Sequence, residues 1–292
     1  LRPRRSATEV LTTENSCGKP PIRWFSARRT GETRVRILVC VKRVPAPGAK
    51  INITHDEQSV NTANLGFTMS PHEECAVEEA VQLIEQHGGE STVLTLGPAE
   101  AEEQLRYSAS IGIDHAVLLD NGGEDWDPQR TAAAIAAAIE VLEAGDAFDL
   151  ILFGNESADS GGFQVGVRVA HKLGRPMVNG IKDIELGSDD AAGNVIRARR
   201  EVDAGFEVYS VPRPAVLGVK EGLNLPRYPT MKGRLASKKV EVGAIAPVGE
   251  AGGQAKVKLL RPEEKVSETV ILGHDESAAS AVVDLLDELG VL

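Results

Sequence analysis

Four short apolar runs, spaced by helical stretches, constrain the fold of this 292-residue chain more than any other feature. Ile37-Leu38-Val39-Cys40-Val41 is continuously apolar, the pattern of a strand buried on both faces of a parallel sheet. Residues 91–96, 115–119 and 149–153 repeat the type, each bounded by glycine or polar residues. Between the runs, Val77, Ala80, Val81 and Ile84 fall on one helical face, as do Ile135, Ile139 and Leu142 within an Ala-rich stretch. Each strand needs a crossover that covers its apolar face. The alternation therefore predicts a doubly wound parallel α/β sheet with helices on both faces. After Gly187 the pattern changes. Residues 194–200 and 206–211 flank Asp203-Ala204-Gly205 and predict an antiparallel β-hairpin. Residues 275–289 predict a short amphipathic helix, preceded by a Pro/Glu-containing linker at 261–264 and suited to clamping a partner subunit or packing on its own domain.

Charge and cysteine usage exclude several classes. A net charge of −11 is the wrong sign for a nucleic-acid footprint. No apolar run reaches the length of about 18 residues that a membrane-spanning helix needs. Cys17, Cys40 and Cys75 lack metal-ligand spacing; Cys40 on a strand and Cys75 on a helix read as buried, inert thiols. The expected setting is reducing and intracellular: a bacterial cytoplasm, or alternatively a mitochondrial matrix. Residues 1–34 hold eight Lys/Arg against three Asp/Glu, so this segment is +5 and the remainder −16. Three accounts fit it: an Arg-rich transit segment, a disordered arm, or translated upstream sequence. The last is preferred, because the chain opens on Leu1 and the regular pattern begins abruptly at Val35-Arg36. The expected division is a 1–34 extension, a 35–242 nucleotide-binding domain, and a 243–292 linker and partner-contacting helix.

Ligands of a parallel sheet sit at the carboxyl ends of its strands, so the turns there are the places to search. Lys42-Arg43-Val44-Pro45 follows the first strand and is basic. Ser70-Pro71-His72-Glu73 is a helix start: Ser70 suits the N-cap, Pro71 the first helical position, and Glu73 completes a capping box. Leu96-Gly97-Pro98 is a tight bend. The run Gly154-Asn155-Glu156-Ser157-Ala158-Asp159-Ser160-Gly161-Gly162-Phe163-Gln164 opens into a helix at Val165; its small residues let backbone amides approach a phosphate at a helix N-terminus. Taken alone this turn is equally at home in proteins that bind no nucleotide.

The stretch 214–234, PAVLGVKEGLNLPRYPTMKGR, begins as a strand and passes into a segment read as neither helix nor strand, stiffened by Pro226 and Pro229. Leu223, Asn224, Pro226, Arg227 and Tyr228 form a loop suited to docking, since stiffness lowers the entropy lost on binding; a loop that tucks its leucines beneath itself is the alternative.

Together these pieces resemble the electron transfer flavoprotein beta subunit. Val41-Lys42-Arg43-Val44, Cys75-Ala76-Val77-Glu78-Glu79-Ala80, Gly97-Pro98, Arg200-Glu201-Val202-Asp203-Ala204-Gly205 and, most specifically, the 214–234 block carry the likeness over roughly residues 36–242. The resemblance implies an adenine-nucleotide-binding α/β fold with AMP contacts on Cys40, Ser70, Pro71, His72, Glu73 and Leu96, and throughout residues 154–165. It implies an FAD shared with, and mainly held by, an alpha subunit. Glu201 is similar to an acidic residue near that flavin, though a solvated hairpin carboxylate beside Arg199 and Arg200 reads as well. Leu223 would anchor a partner dehydrogenase. The chain would act as an electron carrier without catalytic residues of its own, taking electrons from flavin dehydrogenases and passing them to a quinone oxidoreductase. It departs from some members in having Ser160-Gly161-Gly162 where they carry acids, and Val165 where others carry a hydroxyl. A second FAD in place of AMP, as in bifurcating members, stays open. So do an ATP-binding enzyme, which Ser160-Gly161-Gly162 echoes, and a stress-type nucleotide-binding protein.

Overall fold

The strand β1 (Val35–Val41) runs through the middle of a nine-stranded sheet and is buried at every position. The computed structural model describes residues 34–187, 194–250, 252–262 and 269–291; the expected extension at 1–34, except Arg34, and half of the linker at 261–264 lie outside them. After β1 come a small antiparallel pair, β2 (Val44–Pro45) and β3 (Phe67–Thr68), then α1 (Pro71–His87), β4 (Gly89–Gly97), α2 (Glu102–Ile111), β5 (His115–Asp120), α3 (Pro128–Leu142) and β6 (Leu150–Gly154). The chain continues through α4 (Val165–Lys172), β7 (Met177–Leu186), β8 (Val195–Val202), β9 (Gly205–Pro212), β10 (Ala215–Val219), α5 (Met231–Ser237), β11 (Val242–Ala244) and α6 (Ala278–Glu288).

The sheet order is β11-β5-β4-β1-β6-β10-β7-β8-β9. All pairs from β11 to β7 are parallel, while β8 and β9 extend the edge as the expected antiparallel hairpin. The chain leaves β1 in one direction through β4 and β5, then returns to its other side at β6. That reversal opens a crevice at the carboxyl ends of β1 and β6. Both faces are covered, as the alternation requires. Val39, Val93, Leu118 and Leu152 pack with Val77, Val81 and Leu105 of α1 and α2. Leu38, Leu94, Val117 and Ile151 pack with Ile135, Ile139 and Val169 of α3 and α4. Each such side chain contributes roughly 1.5–3 kcal/mol on burial.

β7 and α5 are among the elements that the sequence patterns do not predict. β7 is mostly half-buried, with only Ile181 and Ile184 fully inside, and a register shift between Ile181 and Asp183 breaks the alternation that would have marked it. The end of the 214–234 stretch is not irregular: α5 begins at Met231, with Thr230 Oγ1 accepting from the Gly233 amide as its N-cap.

The chain divides into two units. One holds the sheet and runs to Ala255, leaving out residues 52–61; the other joins 52–61 with 256–292. This differs from a boundary after Val242, because β11 adds to the sheet beside β5 and Asp127 accepts the Gly252 amide. In the second unit Leu259 N donates to Glu57 O, and Lys258 lies 3.5 Å from Glu57. Its helix α6 has no buried residue and exposes Val282, Val283 and Leu285. No helix among the described residues is long and apolar enough to cross a membrane.

Candidate functional site

The first turn of α1 is built as its sequence predicts. Ser70 Oγ accepts the Glu73 amide, and Glu73 Oε2 accepts the Ser70 amide at 2.9 Å. The other Glu73 oxygen accepts the Lys42 amide at 2.9 Å, tying this helix start to the end of β1. Burial pushes the Glu73 carboxyl up to about 8, against the pull of those hydrogen bonds. Gly154 lies directly against the turn: a Cβ there would stand 2.8 Å from Glu73 Cγ and 3.3 Å from His72 Cβ.

From Gly154 the chain enters the glycine-rich turn, where the Asn155 amide donates to Val219 O at the end of β10. Gly161 and Phe163 both take left-handed backbone conformations, with φ of 53° and 52°. For an aromatic residue this conformation costs energy, which is a pattern found at functional turns. α4 then starts at Val165 with no side chain capping its first turn, since Gln164 is turned to Arg168 instead. Successive amides in such a turn, opening onto an uncapped helix N-terminus, are suited to an anion. Two acids in the turn are each matched by a positive or polar partner. Lys42 Nζ lies 2.6 Å from Asp159, and although burial raises the Asp159 carboxyl, Lys42 outweighs it and holds the group below the usual range. His72 Nε2 lies 3.6 Å from Glu156. Ser70 Oγ also reaches Glu156 O at 3.5 Å.

The structure thus brings Ser70, His72, Glu73 and the turn from Gly154 to Val165 to one crevice. Cys40 and Leu96 stand at the ends of β1 and β4, with their side chains in the core on the α3–α4 face. Burial, and after it the neighbouring Glu73 carboxyl, pushes the Cys40 thiol far up, away from the thiolate form.

The segment after β10 is fastened along α1. Arg227 Nε and Nη2 hold the Glu78 carboxylate at 2.9–3.0 Å, and its Nη1 and Nη2 hold Glu85 at 2.7 and 3.0 Å. The Arg227 amide donates to Glu78 as well. Burial works to raise Glu78, but Arg227 and Gln82 hold its carboxyl below the ordinary range. Asn224 Nδ2 donates to Cys75 O and to Glu79 Oε2, both at 3.0 Å. Leu223 packs partly on the apolar core, whereas Leu225 and Tyr228 are each 90% exposed. The free apolar surface of this loop therefore comes from Leu225 and Tyr228. Sequence reasoning treated the adjacent acids Glu78 and Glu79 only as part of a familiar helix. Their burial, at 2% and 7% exposure, marks them as anchors.

A pH effect follows. Burial pushes the Glu79 carboxyl up to about 7; the Asn224 hydrogen bond opposes this, while Asp183 and Glu78 add to it. The raised value means that the stability Glu79 contributes is complete below its ordinary 4.5 and is lost as pH rises through about 7. Amide-exchange protection across residues 223–228, corrected for intrinsic rates, should fall between about pH 5 and pH 8. Glu79→Gln keeps an acceptor for Asn224 and should remove most of that slope, leaving the part due to Glu73. An unaltered slope in the variant would show that Glu79 titrates in the ordinary range.

Comparison with known proteins decides the lineage. The electron transfer flavoprotein domain model matches residues 59–248. A protein of Syntrophomonas wolfei named electron transfer flavoprotein subunit beta is 34% identical over 254 residues, covering 86% of this chain and 95% of its own length. The chain belongs to the electron transfer flavoprotein beta-subunit family. Subunits of the same name from Bacillus subtilis and Megasphaera elsdenii are each 29% identical, over 89% and 87% of this chain. Membership gives the chain an electron-transfer role as one subunit of a flavoprotein.

Within this beta subunit, Glu201 stands on β8 near the hairpin turn, 3.7 Å from Lys182 Nζ of β7. The same Nζ donates to Glu221 O at 2.7 Å. Lys182 was not singled out from the sequence, and nothing in its surroundings there would have marked it. Next to Glu201, Arg200 is engaged by Glu207 and lies over the Tyr209 ring, while Arg199 faces Asp183. Glu201 itself is exposed.

Proposed function

We propose that this chain is the beta subunit of a heterodimer that accepts electrons from flavin dehydrogenases, such as those acting on acyl-CoA, and delivers them to a quinone oxidoreductase of the respiratory chain. The observation that carries the reading is the pairing of two features on one helix. The first turn of α1 closes the anion-suited turn at 154–165, and the next turns of α1 fasten a loop presenting Leu225 and Tyr228.

AMP occupies the crevice in this reading. The amides from Gly162 to the first turn of α4 hold its phosphate, Lys42 balances Asp159, and Cys40 and Leu96 contribute backbone. The glycines and the uncapped helix fit such a group without the hydroxyl that Val165 lacks. FAD, when bound with the alpha subunit, supplies the redox chemistry. The residues of this chain bind, orient and exclude water, with Glu201 on the flavin side and with Leu223, Asn224, Pro226 and Arg227 setting the loop for a dehydrogenase. The exposed apolar face of α6 suits contact with the alpha subunit.

Expressed alone, the chain should be flavin-poor, and it should gain one FAD only on coexpression with an alpha subunit. The heterodimer should then be reduced by an acyl-CoA dehydrogenase with its substrate. A lone chain that retains stoichiometric FAD, or a heterodimer that no flavin dehydrogenase reduces, would overturn the proposal.

A further inference from the structure

Both backbone groups of one residue, Glu221, are held by side chains that lead to two other parts of the molecule. Its amide donates to His72 Nδ1 at 2.8 Å. Its carbonyl accepts from Lys182 Nζ at 2.7 Å. Because Nδ1 accepts a hydrogen bond, a neutral imidazole carries its proton on Nε2, the nitrogen 3.6 Å from Glu156 in the glycine-rich turn. Lys182 in turn stands 3.7 Å from Glu201 on the hairpin. Glu221 opens the loop that continues through Leu225 and Tyr228, and Gly222 follows it with φ of 80°, in a conformation that favours glycine. The His72 backbone and Cβ are fixed by the capped first turn of α1 and by Gly154, which leaves the orientation of the ring to its two partners.

We propose that His72 is a positioning residue that couples the nucleotide turn to the docking loop: Nε2 faces the Glu156 carboxylate of the turn at 3.6 Å, and Nδ1 accepts from the loop base at Glu221. A nucleotide that orders residues 154–165 fixes Glu156 and thereby the imidazole, so the loop base is held more firmly when the turn is filled. Linkage makes the effect reciprocal, and a dehydrogenase gripping the loop tightens nucleotide binding by the same factor. The inference rests on the nucleotide and docking readings above, but neither of them requires the two sites to communicate.

The test uses the heterodimer with its alpha subunit, stripped of AMP and then measured with and without saturating AMP. Amide exchange across residues 219–230 should slow about fivefold or more on AMP addition, the low end of coupling between linked sites. The KM for a partner dehydrogenase should fall by a similar factor while kcat stays constant. His72→Asn keeps an acceptor near the Nδ1 position but cannot reach Glu156. It should retain the loop's protection without AMP and lose the response to AMP. His72→Phe should lose both. A role confined to packing would not separate these two variants. Should the variants fail to assemble, the comparison with and without AMP on the unaltered heterodimer still decides. If AMP binds stoichiometrically and leaves loop exchange and KM unchanged, the coupling is wrong and the nucleotide reading stands. If AMP does not bind at all, the nucleotide reading fails and the coupling fails with it.

Discussion

Arg227→Ala should cost about 3 kcal/mol and lower the melting temperature by about 6–10 °C. The cause is the carboxylate left behind. Glu78 is 2% exposed and takes hydrogen bonds from the Arg227 amide, Nε and Nη2, so removing the guanidinium leaves a buried charge without its partner. The figure sits at the low end for a broken buried pair because the Arg227 side chain is 37% exposed, and water can enter to solvate part of the site. Dehydrogenase-dependent flavin reduction should fall more steeply than stability accounts for, since Leu225 and Tyr228 flank the lost anchor. Adding Glu78→Gln removes the buried charge and should restore most of the melting temperature without restoring docking. A single variant that melts like the unaltered protein would mean that the pair is solvated and that the loop is held elsewhere.

Gly154→Val should weaken retention of AMP about tenfold or more, a loss of roughly 1.4 kcal/mol per decade. A side chain here meets Glu73 Cγ at 2.8 Å and the Glu73 amide at 3.3 Å, and the capping box that holds Glu73 leaves it little room to move. The first turn of α1 must shift away from the turn at 154–165, which opens the crevice. Gly154→Ala should show the same effect in smaller degree. Both are read by dialysis of the purified heterodimer and quantification of the nucleotide retained; full retention in the valine variant would remove the α1 turn from the site.

The sheet and the cap that opens α1 were legible because they rest on local signals. A continuous apolar run such as Ile37–Val41 identifies a central strand, and Ser70-Pro71-His72-Glu73 writes its own cap. What could not be read depends on contacts distant in sequence. Arg227 and Glu78 are 149 residues apart, as are Glu221 and His72, and no pattern along the chain announces either pair. Leu223 shows the same limit from the other side. Its place in a proline-stiffened loop suggests an outward anchor, yet the fold packs it partly on the core and leaves Leu225 and Tyr228 outside. β7 was hidden for a third reason, since its register shift erases the alternation on which strand recognition depends.

The central claim is that the crevice between the first turn of α1 and the turn at 154–165 is a nucleotide site separate from the redox flavin. Acid extraction of the purified heterodimer, followed by chromatographic quantification, tests it most directly. The account predicts one AMP and one FAD per heterodimer. Two FAD and no AMP would place a second flavin in this crevice and make the protein a bifurcating flavoprotein, and one FAD with no second nucleotide would contradict the site altogether.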